Sequence, residues 1–181
     1  MSKKKLIASG GVLVALIAAA IAVYFIFFYI PYGAVMYDDA EDMLLESFIE
    51  ENKIGVALYE NPDYDPSVND PMLDKYIKYD DMPTTRTYII KDAETYAKIF
   101  KEGAIEVDFD REMLLIYTFT HTEGSKKYFI KNITVNERTA VVEYHLEYDF
   151  SDVAGSTEPG QRWFVVEMDK LDVDEVKFVE K

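Results

Sequence analysis

One uncharged segment constrains this chain more than any other feature of its sequence. Residues 6–30, which follow Lys5, contain no charged side chain and are almost entirely apolar. At about 1.5 Å of rise per residue, a helix over this segment is longer than the roughly 30 Å hydrocarbon core of a bilayer. We therefore predict a transmembrane helix over residues 6–30, preceded by a short cytoplasmic N-terminus at residues 1–5.

Two alternatives to a retained membrane anchor account less well for this segment. A cleaved signal peptide has a shorter apolar core followed by small residues, which Ala18–Ala20 supply, but the apolar run continues to Ile30. A buried helix of a soluble domain needs more polar residues than Ser9 on one face. A retained anchor is the interpretation that we adopt.

The charge distribution predicts the orientation of the anchor. Lys3–Lys5 precede the apolar segment, whereas Asp38, Asp39, Glu41 and Asp42 follow it. Basic residues stay on the cytoplasmic side, so we predict a single-pass protein of the cell membrane with its C-terminal region outside the cytoplasm.

The chain has no cysteine, which excludes disulfides and thiolate metal sites. Its formal net charge of −15 argues against nucleic acid as a partner.

The region after the anchor divides into two parts by composition. Residues 31–83 carry 14 acidic and 3 basic residues and form an acidic juxtamembrane segment. Within it, apolar residues at helical spacing predict a short helix in Asp38–Glu51, and a short strand is predicted over Ile54–Tyr59. Three prolines between Asn61 and Pro71 predict a loop there.

Residues 84–181 show the patterns of a β-rich domain. Asp92 is placed to cap a helix that Gly103 ends. Apolar runs and alternating polar and apolar residues predict strands over Thr85–Lys91, Met113–Thr120, Lys127–Val135, Val142–Phe150, Arg162–Met168 and Val176–Val179. The predicted fold class is α+β, mostly antiparallel β and sandwich-like.

The acidic loop is the best candidate for a metal site. Oxygen-bearing side chains occupy every second position, as in a calcium-binding loop, at Asn61, Asp63, Asp65, Ser67 and Asn69. The pattern departs from an EF-hand at Pro66, where glycine is needed, and at Met72, where a bidentate glutamate is needed. The loop is therefore either a weak Ca²⁺ site or a solvated acidic turn. No other cofactor is indicated.

No catalytic signature accompanies these features. The sequence has no nucleophile elbow, no zinc-protease motif, no phosphate loop and no dinucleotide fingerprint, and we predict a protein that is not an enzyme. His145 lies between Glu143 and Glu147 on one strand face, which is more typical of a solvated surface than of a zinc site. Trp163, the single tryptophan, is predicted to lie in the core instead of acting as a surface anchor.

One segment resembles a known family. Val107-Asp108-Phe109-Asp110-Arg111-Glu112-Met113-Leu114-Leu115-Ile116-Tyr117 is similar to the first core strand of the C-terminal domain of PrcB-type protease-complex accessory subunits. The order of the segments Tyr128–Val135 and Val141–Phe150 is also similar, so the resemblance covers about residues 85–180. It implies a non-catalytic β domain that binds or stabilises a partner protein outside the cytoplasm.

These observations lead to one functional hypothesis and two alternatives. The leading hypothesis is a membrane-anchored accessory or protein-binding module whose partner is another envelope protein. The first alternative is a calcium-responsive domain that uses loop 61–70, and the second is a hydrolase with an unrecognised carboxylate pair. Because the domain is acidic, a charged partner is expected to be basic.

Overall fold

All the strands that the structure describes lie in one compact unit, Tyr32–Lys181. Within the parts of the chain that the structure describes, no helix is both long enough and apolar enough to cross a membrane. Of the predicted anchor, residues 16–19 are described and helical, Ile30 is also described, and the rest lies outside the described residues. This computed structural model describes residues 16–19, 30–69, 74–121, 126–148 and 159–181.

The described part of the compact unit consists mainly of strands. Two short α-helices are present, α1 (Glu46–Glu51) and α2 (Ala93–Ala97), together with a 3-10 helix at Ala40–Met43. The strands are β1 (Val35–Asp38), β2 (Tyr59–Glu60), β3 (Tyr76–Ile77), β4 (Thr85–Ile90), β5 (Glu112–His121), β6 (Lys126–Asn136), β7 (Thr139–Tyr148), β8 (Gly160–Asp169) and β9 (Glu175–Glu180).

Most of these strands belong to two facing sheets. The larger sheet is antiparallel, with the strand order β1-β8-β5-β4. The smaller sheet has the order β6-β7-β9, in which β6 and β7 are antiparallel and β7 and β9 are parallel. A separate hairpin joins β2 to β3. The prediction of a mostly antiparallel, sandwich-like domain is therefore confirmed.

Strands β5 and β8 form the centre of the larger sheet because their apolar residues cover both faces. Met113 and Leu115 point towards the smaller sheet, where they pack with Val142 and other inward residues of β6, β7 and β9. Leu114 and Ile116 point the other way, into a second core beneath the two helices. The described part of Tyr32–Lys181 thus has three layers. Burial of both faces of a central strand is what the nearly unbroken apolar run predicts.

The helix after β4 forms as its capping signal predicts. The Asp92 side chain accepts a hydrogen bond from the Thr95 backbone N–H at 2.8 Å, which satisfies one free donor of the first turn. The α-helix ends at Ala97, and the chain then makes a turn before Gly103, whose φ is +74°. The helix is therefore shorter than predicted, although its start and its general position are correct.

The predicted helix within Asp38–Glu51 is interrupted. Its first residue, Asp38, is the last residue of β1, and Leu44 lies between the 3-10 helix and α1 in an extended conformation. Leu44 is fully buried and forms an isolated antiparallel bridge with Phe100. This tertiary contact holds Leu44 in an extended conformation. The helix that the spacing of its neighbours predicts therefore does not continue through Leu44.

The predicted strand over Ile54–Tyr59 is also largely absent. Only Tyr59 and Glu60 pair with a neighbouring strand, while Ile54 and Ala57 are buried in a bent segment. At Gly55 a Cβ atom would lie 2.5 Å from the Met82 carbonyl oxygen. The backbone therefore approaches another loop too closely for a regular strand with a side chain at this position.

Candidate functional site

A cleft of about 500 Å³ opens on the helical face of the larger sheet. It lies where α1 and the 3-10 helix meet β2 and the first residues of β8. Its lining combines apolar, polar and charged side chains, contributed by Glu41, Ile49, Glu50, Lys53, Leu58, Tyr59, Glu60, Gly160, Gln161 and Trp163. This mixed lining is typical of a binding site, because apolar surface supplies affinity and a few polar groups fix orientation.

A hydrogen-bonded pair, Tyr59 and Gln161, holds one wall of the cleft. The Tyr59 hydroxyl donates to Gln161 Oε1 at 2.7 Å and accepts from the Ile54 backbone N–H at 2.8 Å. Gln161 Nε2 donates to the Asn52 carbonyl oxygen and to Thr118 Oγ1, each at 2.9 Å. These bonds connect β8 to the segment between α1 and β2. The role of Tyr59 and Gln161 that they show is therefore to fix the position of this wall.

The Lys53 ammonium group is held inside the same region by a carboxylate and two aromatic rings. Its Nζ lies 2.7 Å from Glu50 Oε2, and the Lys53 side chain is only 16% exposed. The same atom lies 5.0 Å from the ring centre of Tyr59 and 5.7 Å from that of Tyr79. Cations bind aromatic faces at such distances. Lys53 is therefore neutralised locally and does not oppose the acids at the rim.

Two glutamates at the rim give the cleft its negative character. Within the described residues, neither Glu41 nor Glu60 forms an ion pair. Partial burial raises the pKa of Glu41, and the neighbouring carboxylates of Asp39 and Asp42 raise it further, against the opposing effect of Lys101. Since repulsion among carboxylates raises this pKa, a cation placed at the rim would lower it again.

The predicted calcium loop is described over its five candidate ligands. Asn61 Oδ1 accepts from the Asp63 backbone N–H, and Asn69 Oδ1 accepts from the Asp65 N–H. Asp65 Oδ1 accepts from both the Ser67 hydroxyl and its backbone N–H, and these bonds lower the pKa of Asp65. The loop oxygens thus stabilise local turns, and among the described residues no three acidic or histidine side chains converge on one point.

The remaining predicted features lie apart from the cleft. On β7, His145 Nε2 lies 3.4 Å from Glu147 Oε1, whereas Glu143 lies 3.4 Å from Lys181 Nζ. No third ligand joins them within the described ranges. Trp163 is fully buried, packs on Phe48 with ring centres 5.6 Å apart and forms part of the cleft floor. Its predicted position in the core is confirmed.

Several cleft residues were not singled out from the sequence. Lys53 and Tyr59 lie in a strongly acidic segment, and the contacts of both residues with Tyr79 depend on the fold. Gln161 offered one usable signal, because it is a polar residue at an inward position just before the apolar run that begins at Trp163. Buried polar groups need partners, but the sequence does not say which.

The fold and the cleft together define a two-sheet β-sandwich with helices on one outer face and a mixed, acidic cleft beneath them. A scan against protein-family models found no match. Neither the curated proteins nor the solved structures gave a match. The resemblance to PrcB-type subunits therefore stays a prediction.

Proposed function

We propose that this protein is a membrane-anchored binding module that holds a basic segment of another envelope protein in its acidic cleft. The observation that carries the proposal is the unneutralised rim of the cleft, where Glu41 and Glu60 face solvent above an apolar floor. A bound ligand is stabilised at such a rim in two ways. Its cations are attracted to the carboxylates, and the rest of the ligand contacts the floor of the cleft.

The chemistry of the lining supports binding over turnover. Tyr59 and Gln161 are engaged in the hydrogen bonds that build the wall, and Lys53 is held by Glu50. Burial raises the pKa of Tyr59, which keeps its hydroxyl protonated at neutral pH. Nucleophilic catalysis needs a nucleophile beside a base that can activate it, and this lining supplies recognition groups instead.

The anchor is part of the same proposal. Residues 6–30 span the membrane once with the N-terminus in the cytoplasm, and the sandwich faces the outside, where an envelope partner is accessible. The absence of cysteine allows a direct test with single-cysteine variants. In intact cells, a membrane-impermeant maleimide should label Glu102→Cys and leave Ser2→Cys unlabelled until the membrane is permeabilised. Labelling of Ser2→Cys alone in intact cells would contradict the orientation.

Binding in the cleft can be followed by tryptophan fluorescence, because Trp163 lies in the cleft floor and is the only tryptophan of the chain. Full-length protein in lipid nanodiscs would be titrated with acetylated, amidated pentalysine while Trp163 fluorescence is recorded. We expect saturable binding that weakens with salt and as the pH falls, since the raised pKa of Glu41 makes this carboxylate take up a proton at a higher pH than an ordinary glutamate. The double variant Glu41→Gln/Glu60→Gln should bind about tenfold more weakly.

The matched control is Glu102→Gln, which removes an exposed carboxylate that does not line the cleft. It should leave binding nearly unchanged. Equal binding of pentaglutamate, or an equal loss of affinity in the control, would show that the cleft does not select a basic ligand. In cells, a photo-cross-linking amino acid at position 60 should capture a partner that the same group at position 102 does not capture.

A further inference from the structure

Three side chains surround the ammonium group of Lys53, and we call them the cage: Glu50, Tyr59 and Tyr79. Lys53 Nζ lies 2.7 Å from Glu50 Oε2, and it lies 5.0 and 5.7 Å from the ring centres of Tyr59 and Tyr79. The two ring centres are 5.5 Å apart, and the ring planes are tilted by 49°. A carboxylate beside tilted aromatic faces is also how proteins bind the ammonium groups of ligands.

The cage holds its lysine differently from the sites of two other lysines. Lys91 Nζ donates to the Val173 carbonyl oxygen, and Lys170 Nζ donates to two backbone carbonyl oxygens. Those bonds tie one segment of the backbone to another. In the part of the chain that the structure describes, every contact of Lys53 Nζ is with a side chain. Removal of this ammonium group from the cage therefore breaks no bond to the backbone.

The cage opens into the cleft. Glu50, Lys53 and Tyr59 all line the cleft of about 500 Å³. The Glu50 side chain is 66% exposed, so a ligand in the cleft can approach its carboxylate from the solvent side. An ion pair with so exposed a partner contributes little stability, because water competes for the charges. The flexible four-carbon stem of Lys53 allows its ammonium group to turn out of the cage at a small cost in free energy.

The resident side chain shows which ligand group fits the cage. A lysine of a bound segment carries the same ammonium group on the same apolar stem, so it can make the same contacts with Glu50 and the two rings. Lys53 would then compete with the ligand for the cage. Since Glu50 already neutralises Lys53, its removal should strengthen binding mainly by vacating the cage and only slightly by changing the charge of the cleft.

From these observations we propose that the cage is a lysine-binding subsite of the cleft, in which a lysine ammonium group of the partner segment takes the place of Lys53 Nζ. Glu50, Tyr59 and Tyr79 bind the incoming group, and Lys53 turns towards solvent. This inference rests on the proposed function for its ligand, a basic segment. The capacity of the cage for an external ammonium group is tested separately below.

The first experiment tests the cage without a partner. Lys53→Ala removes the propylammonium part of the side chain and vacates the cage. Full-length protein in nanodiscs would be heated in millimolar n-propylammonium chloride while Trp163 fluorescence is recorded. Relative to equal sodium chloride, n-propylammonium should raise the thermal midpoint of Lys53→Ala and not that of the unaltered protein. Uncharged n-propanol should raise neither. No rise in Lys53→Ala, or an equal rise in both proteins, would overturn the proposal.

The second experiment measures competition by Lys53. Lys53→Gln vacates the cage and should bind acetylated, amidated pentalysine about fivefold more tightly than the unaltered protein. The matched control is Lys101→Gln, because the Lys101 charge acts on Glu41 although Lys101 does not line the cleft. The control should gain much less affinity. An equal gain would mean that charge alone is responsible, and the proposal would be wrong.

Tyr79→Leu completes the test, because Tyr79 contributes a ring to the cage but does not line the cleft. In this background Lys53→Gln should no longer strengthen pentalysine binding, and a gain that persists would exclude the cage as the subsite. Should Lys53→Ala not fold, these titrations decide. Rescue by n-propylammonium without any pentalysine binding would support the cage and contradict the proposed function of the cleft. Pentalysine binding without rescue would overturn the cage alone.

Discussion

Where β1 meets β6, buried polar contacts join the two sheets, whereas on the opposite side β4 and β9 border a groove that is lined by Thr87, Ile89 and residues 174–177. On the first side, which we call the closed side, Asp38 Oδ1 accepts from Arg162 Nε at 2.8 Å. Asp38 Oδ2 accepts from the Tyr128 backbone N–H at 3.1 Å, and the Arg162 guanidinium group lies over the Tyr128 ring. One aspartate thus connects three strands from both sheets.

On the second side, which we call the open side, one hydrogen bond near the end of β4 joins the sheets within the described residues. Lys91 Nζ donates to the Val173 carbonyl oxygen, just before β9 begins. In the described part of the chain, no hydrogen bond joins β4 to β9 themselves. The difference indicates that buried polar contacts join the two sheets where β1 meets β6, whereas the side where β4 approaches β9 relies on fewer such contacts.

The largest expected effect comes from the aromatic cluster between the sheets. Phe164 is fully buried and packs on Phe119 and Tyr128, with ring centres 4.8 Å away in each case. We expect Phe164→Ala to lower the free energy of unfolding by about 3–5 kcal/mol, because it leaves a cavity. Urea denaturation followed by Trp163 fluorescence measures this change. Phe129→Ala, at a residue 42% exposed, should cost far less.

A somewhat smaller effect is expected from opening the closed side. Asp38→Asn keeps the shape of the side chain but leaves the buried Arg162 guanidinium group without its counter-charge. We expect a loss of about 2–4 kcal/mol in the free energy of unfolding, since Arg162 is 7% exposed and cannot recover its hydration. The exposed pair of Asp80 with Lys78 supplies the control, and Asp80→Asn should change stability little. Equal effects would refute the assignment.

The link at the open side should contribute less than the closed side. Lys91→Met removes the hydrogen bond to Val173 while keeping most of the apolar side chain. We expect about 0.5–1.5 kcal/mol of destabilisation, the usual net value of one such bond. The comparison variant is Lys101→Met at an exposed position. A loss as large as that of Asp38→Asn would mean that the two sides are equally closed, contrary to our interpretation.

The closed side should also respond to high pH through Tyr37. Partial burial, together with a 2.7 Å hydrogen bond that its hydroxyl donates to Glu167, raises the pKa of Tyr37 to about 12. The folded state therefore retains this proton more strongly than the unfolded state. The resulting stability is present below about pH 10, the unfolded pKa, and is lost as the pH rises through the folded pKa.

The variant Tyr37→Phe separates this contribution from those of other tyrosines, since burial also raises the pKa of Tyr88, Tyr117 and Tyr144. Thermal midpoints would be measured at about pH 9 and about pH 11.5, on either side of the ordinary tyrosine pKa. The fall between them should be smaller in Tyr37→Phe than in the unaltered chain. An identical fall in both proteins would show that Tyr37 does not carry this dependence.

The smallest expected effect concerns calcium and the loop Asn61–Asn69. The calcium hypothesis predicts that millimolar Ca²⁺ raises the thermal midpoint and protects the loop from proteolysis. To bind calcium, the side chains of Asn61, Asp65 and Asn69 must exchange their hydrogen bonds within the loop for contacts with the metal, which weakens binding. Asp63→Asn/Asp65→Asn should abolish the response. An unchanged midpoint in the unaltered protein would contradict the hypothesis.

Much of the β-structure was predictable because its signals are local. The apolar run Met113–Thr120 predicted a central strand, and the alternation from Val142 predicted β7, since side-chain direction repeats every two residues in a strand. Asp92 predicted the start of α2 in the same way, because its hydrogen bond reaches only to Thr95. Each of these patterns needs neighbours only a few residues away.

The candidate sites were decided by contacts between distant residues. Asp38 and Arg162 are 124 positions apart, and Tyr59 and Gln161 are 102 positions apart. A polar residue carries the same local signal whether it is solvated or buried in an ion pair, so the sequence showed Asp38 only as one acid of the juxtamembrane segment. The strand pairing decides which polar groups lose their water, and burial without water makes a partner obligatory. The sequence determined the longer strands β4 to β9, and only the tertiary structure determined the short strands and the cleft.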